Sequence, residues 1–211
     1  MISALEALER LRDGNRRFAA NEPTSDVTDN RRARRALAKD GQKPFAIILG
    51  CSDSRVPAEI IFDQGIGDLF VIRVAGNIVA PSQVGSVEFA ASSFETRLVV
   101  VLGHTQCGAI DTTINELRQP TGNRSPNLQS IVDLVRPSIQ DLLESDFKDD
   151  PQALMDAAVR ANIRGSADHL RHGSQILENL IRTEGLVVIG AEYSLETGLV
   201  DFFDGVSDIR P

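Results

Sequence analysis

The chain has 211 residues, 42% of them hydrophobic and 25% charged, which suits one α/β domain with a full core and excludes a disordered or collagen-like chain. Its formal net charge of −8, from 30 acidic and 22 basic residues, argues against a nucleic-acid binder. Residues 1–20 carry charges every few positions and no stretch is long enough to span a bilayer, so we expect a cytoplasmic protein without secretory segment or membrane contact.

In chain order, Ile2, Leu5, Leu8 and Leu11 repeat at helical spacing. That face packs either on its own domain or on a neighbouring subunit. Residues 21–30 read as a loop and 31–39 as a helix, whose Arg31, Arg32, Arg34 and Arg35 form a solvated basic face. Short apolar runs at 45–49, 69–74, 98–102 and 186–189 fit buried parallel strands, and 198–203 adds an edge strand. Helical patterns lie between them, around 83–94, 110–117, 128–143, 154–170 and 176–181, while 119–127 is turn-rich. Strands alternating with helices predict a single α/β domain with a mainly parallel sheet, about four parallel strands plus an edge strand, flanked by helices and preceded by a helical extension.

In such sheets functional groups gather at the carboxyl ends of strands. The two cysteines, Cys51 and Cys107, and one histidine, His104, all fall at two such ends. Taken singly, a cysteine reads as a small core residue and a histidine as a satisfied core group. Taken together they offer zinc three ligands and leave its fourth position open, the pattern of a catalytic site. A disulfide between the two cysteines does not suit a reducing cytosol. Asp53 and Arg55, two residues apart, read as a loop salt bridge, as an oriented proton acceptor beside the metal, or with Asp53 as the fourth ligand. His169 and His172 sit in a charged helical stretch and read as surface residues.

The stretch Cys51-Ser52-Asp53-Ser54-Arg55 and the stretch Gly103-His104-Thr105-Gln106-Cys107-Gly108 resemble the two signatures of the β-carbonic anhydrases, in the same order. Residues 67–77 and 85–90 resemble the blocks between them, and Val188-Ile189-Gly190-Ala191 with Thr197-Gly198 resembles the closing strand pair. The resemblance covers most of residues 40–205. It implies reversible hydration of carbon dioxide to bicarbonate and a proton by zinc-bound hydroxide, with one zinc per chain on Cys51, His104 and Cys107. It implies that Asp53 and Arg55 form the dyad controlling the fourth position. It assigns Gln42 to substrate binding, Phe70, Ala75 and Phe89 to the carbon dioxide pocket, and the Gly108 amide to a bound anion. Gln42, and Ile48 where closed members carry tryptophan, favour the open form with Asp53 on Arg55.

The family also implies a homodimer or homotetramer with the site near the subunit boundary. On that basis residues 1–40 are expected to form a helical arm packing on a neighbouring subunit, and 41–211 the zinc catalytic domain. Three other readings share these residues: hydrolysis of carbon disulfide or carbonyl sulfide, a metal-free cysteine nucleophile with His104 and Asp53, and a non-enzymatic module with structural zinc.

Overall fold

The computed structural model of the chain describes residues 2–25, 31–120 and 125–209, with side chains throughout except at 31–33. Five strands form one sheet in the order β2-β1-β3-β4-β5. They are β1 (Ala46–Cys51), β2 (Leu69–Val74), β3 (Leu98–His104), β4 (Val187–Tyr193) and β5 (Val200–Asp204). The first four run parallel, and β5 pairs antiparallel with β4.

The central strands explain their own placement. Every residue of β1 and β3 is buried. Their side chains alternate between two apolar layers, as a period of two requires. Ile47, Leu49, Val99 and Val101 face one layer, while Ile48, Leu98, Val100 and Leu102 face the other. Full burial of each such side chain stabilises the fold by about 1.5–3 kcal/mol.

The first layer is closed by α4 (Pro81–Ser93), α5 (Gly108–Arg118), α6 (Pro126–Ile139), α7 (Pro151–His172) and α8 (Gln175–Glu184). The second is closed by α1 (Ala4–Ala19) and the single turn α3 (Ala58–Ile61), which periodicity did not disclose. The helix α2 (Arg31–Asp40) leaves Arg34 and Arg35 exposed, as expected of a solvated basic face; the side chains of Arg31 and Arg32 lie outside the described residues. The loops expected at 21–30 and 119–127 lie partly outside them too. Among the described residues no helix is long and apolar enough to cross a membrane.

The apolar face of α1 is covered by its own chain. Ser3 and Glu6 form a capping box at its start, and Ala4, Ala7, Leu8 and Leu11 are buried in the second layer. A Cβ at Gly14 would stand 1.8 Å from the Phe62 carbonyl oxygen, so only glycine lets α1 approach α3 this closely. The buried Asn15 amide donates to the carbonyls of Ile61 and Gly198, and its oxygen accepts from the Val200 amide. α1 thus packs on the sheet of its own chain.

The chain passes from β1 outward to β2, then crosses back over β1 to reach β3. The carboxyl ends of β1 and β3 thus flank the topological switch point, where crevices open in such sheets.

Candidate metal centre

Cys51 is the last residue of β1, His104 the last of β3, and Cys107 stands just before the first residue of α5. Because β1 and β3 are neighbours, two stretches more than fifty residues apart in sequence meet at one point. The two sulfurs and a ring nitrogen of His104 lie within 4.8 Å of one another, and all three residues are buried.

The electrostatics are those of a ligand set. His104 Nδ1 lies 2.8 Å from the Thr105 carbonyl oxygen, which fixes this nitrogen as the donor. His104 Nε2 is left buried with no hydrogen-bond partner. A buried, unpaired nitrogen costs free energy unless something fills its lone pair. The neighbouring Cys107 thiol is the main influence lowering the Cys51 pKa, against the opposing effect of burial. The same contact and burial push Cys107 up, so the pair gives up its first proton easily and holds the second. A cation between two thiolates and an imidazole answers both conditions, and zinc is the divalent ion that this donor set suits. The donors present therefore fit the ion.

Asp53 lies beside the cluster, its Oδ2 3.8 Å from His104 Nε2. Arg55 grips both carboxylate oxygens. Its Nε donates to Oδ1 at 2.9 Å, a terminal nitrogen donates to Oδ2 at 2.6 Å, and its backbone amide adds a third bond at 2.9 Å. This grip holds the Asp53 carboxyl well below the usual carboxylate range.

Two further groups were not found in the sequence. The Gly76 amide donates to Cys51 Sγ at 3.4 Å. Arg73 donates from Nε to the Cys51 carbonyl at 3.0 Å and from a terminal nitrogen to the Asp53 carbonyl at 2.5 Å. The one sequence signal was a lone cation inside the apolar strand Leu69–Val74.

The residues expected around substrate divide into two sets. Ala75 follows β2 directly, next to Gly76 and Cys51. Gly108 opens α5, and a Cβ there would meet nothing within 4 Å. Gln42, Phe70 and Phe89 lie away from the Cys51-His104-Cys107 cluster of their own chain. Gln42 is exposed before the start of β1, which puts the length of that six-residue strand, about 17 Å at 3.3 Å per residue, between it and Cys51. Phe70 pairs with Ile47, four residues back from the Cys51–Val74 pair. It packs against Phe89 and Phe94 at centroid distances of 6.1 and 6.0 Å. His169 and His172 are exposed at the far end of α7, the latter 3.4 Å from Asp168.

Fold and donors together define an α/β protein with a Cys51-His104-Cys107 cluster at its switch point that could hold a metal ion. The family model described as carbonic anhydrase matches residues 46–200. "Carbonic anhydrase 2" of Mycobacterium tuberculosis is 36% identical over 208 residues, covering 96% of this chain and 94% of that protein. The structure of the β-carbonic anhydrase CcaA matches with a TM-score of 0.74 at 26% identity, covering 95% of this chain and 96% of that one. A tetrameric β-carbonic anhydrase of Sordaria macrospora shares the fold, with a TM-score of 0.70 at 22% identity and coverage of 94% and 97%. The chain belongs to the carbonic anhydrase family, in its β class, and is a carbonic anhydrase.

Proposed function

We propose that this chain hydrates carbon dioxide reversibly with one zinc ion held by Cys51, His104 and Cys107. The observation that carries the reading is the buried, unpartnered Nε2 of His104 within reach of two thiols. Zinc bound there supplies a Lewis acid that makes water nucleophilic near neutral pH.

The chain's own groups do the rest. Asp53, ionised under the grip of Arg55, accepts a hydrogen bond from the reacting water at Oδ2 and so turns the water's lone pair toward carbon dioxide. A protonated carboxyl could turn a donor toward the water instead, so Arg55 acts through Asp53 by keeping it an ionised, acceptor-only group. The Ala75 methyl offers an apolar wall beside the ligands, and the exposed Gly108 amide at the start of α5 meets the bicarbonate anion.

Gln42, Phe70 and Phe89 serve the same chemistry from a second copy, in a dimer or tetramer. Supporting this, β2 is an edge strand with one side of its ladder open, and Phe89 beside it is 54% exposed. The outward face of α1 meets a neighbour in the same assembly. The reducing cytoplasm suits two free cysteines.

Zinc analysis with a carbon dioxide hydration assay tests the reading. Cys51→Ser and His104→Ala should lose bound zinc and activity together. Full turnover by a verified zinc-free protein would end it.

A further inference from the structure

The inward face of α7 is apolar at Leu154, Ala158, Val159, Ile163, Ala167 and Leu170. Asn162 interrupts this stripe while only 2% exposed. Asparagine is a weaker helix former than leucine, and its amide is costly to bury unless hydrogen-bonded. Its Nδ2 donates to the Gly76 carbonyl at 2.8 Å, across 86 residues of sequence.

Gly76 stands in the left-handed region at φ +69°, and a Cβ there would come within 3.0 Å of the Ala109 Cβ. Its amide is the group that donates to Cys51 Sγ. The next residue of α7 braces the other ligand strand: a Cβ at Gly103, one residue before His104, would come within 2.5 Å of Ile163 Cδ1. One turn of α7 therefore bears on the ends of both β1 and β3.

We propose that Asn162 is a positioning residue for the metal centre, holding the Gly76 turn so that its amide stays on the Cys51 sulfur. The proposal rests on the reading that Cys51 is a zinc ligand. An N–H bond to a thiolate both orients the sulfur and takes up part of its charge, and outer groups of this kind are worth about 10–100-fold in metal affinity. Losing the amide of Asn162 also leaves the Gly76 carbonyl without this buried donor, so the turn relaxes away from Cys51.

The test is zinc affinity by chelator competition in the full-length protein, with Asn162→Leu and Asn162→Asp, and with Ser166→Ala as a control on the same buried face. Both Asn162 variants should bind zinc about tenfold more weakly or worse, with Ser166→Ala at the wild-type value. Affinities within twofold of wild type in folded Asn162 variants would overturn the proposal. Nuclear magnetic resonance of the wild-type protein loaded with cadmium-113 gives a second measurement that needs no variant. A scalar coupling should join the Gly76 amide proton to the metal, and another should join the Asn162 side-chain nitrogen to the Gly76 carbonyl carbon. Absence of either coupling in a protein holding one cadmium would also overturn it. A wild-type protein that binds no metal would instead remove the zinc reading itself, so the two failures are separable.

Discussion

Arg73 and Asp53 are joined through the backbone: a terminal nitrogen of Arg73 donates to the Asp53 carbonyl at 2.5 Å while its Nε holds the Cys51 carbonyl. Arg55 fixes the Asp53 carboxylate from the other side. One turn thus carries the proposed metal ligand Cys51 and the proposed hydrogen-bond acceptor Asp53, clamped at main chain and side chain by separate guanidiniums. Glutamine at 73 cannot span both carbonyls. Arg73→Gln should retain zinc but lose about tenfold in kcat, equivalent to about 1.4 kcal/mol of the barrier. Stopped-flow hydration at verified zinc content measures it, and an unchanged kcat would show that the clamp is idle.

Gly103 tests the same neighbourhood by packing. An added methyl would collide with Ile163, which is fully buried and has little room to move. Overpacking of this kind costs about 1–3 kcal/mol. Gly103→Ala should melt several degrees lower and bind zinc more weakly, because the displaced strand carries His104. Gly108→Ala, with nothing near its Cβ, is the matched control for stability. Equal melting temperatures for the two variants would contradict this account.

Much of the fold was legible because its signals are local. The strand expected at 69–74 is observed with those limits, and the runs at 98–102 and 186–189 mark the starts of β3 and β4. Apolar runs of four to six residues bounded by turn residues are short for a helix and suit strands buried on both faces. Convergence of Cys51, His104 and Cys107 was also legible, since adjacent strand ends bring their residues together whatever lies between. What was hidden depends on contacts distant in sequence. Arg73 reads as an ordinary charge until its guanidinium is seen against two carbonyls, and Asn162 as a polar residue in an apolar stripe until Gly76 is found beneath it. Gln42 lies away from the cluster of its own chain for a geometric reason: it precedes β1, and Cys51 ends it.

Asp63 ties residues 22–25 to the domain and gives the protein a pH-dependent contribution to stability. Its side chain is 1% exposed. Burial alone would raise its pKa, but the amides of Thr24 and Ser25 and the guanidinium of Arg17 outweigh burial and lower it. A carboxylate whose folded pKa lies below its unfolded value of about 3.9 stabilises the fold above that value, and loses the contribution as pH falls through the folded pKa. Asp63→Asn keeps the shape and removes the charge. It should cost on the order of 2 kcal/mol at pH 7, the scale of hydrogen bonds to a charged group. The gap between variant and wild type should narrow below about pH 4. Urea unfolding at pH 7 and pH 3 decides it; a gap that is constant with pH would assign the cost to shape instead.

Phe89 carries the prediction about assembly. It is 54% exposed, and Phe70 and Phe94 pack beneath it at 6.1 and 5.6 Å between ring centroids. Three aromatic rings beside an open strand edge are costly to leave in water, and burying them against a second copy removes that cost. Phe89→Arg places a charge where an apolar contact is proposed, without disturbing Cys51, His104 or Cys107. The variant should therefore keep one zinc per chain, fall to a smaller mass in sedimentation, and lose turnover as the partner's pocket residues withdraw. A smaller mass with full turnover would show that one chain completes the site alone. An unchanged mass would move the subunit contact to another face.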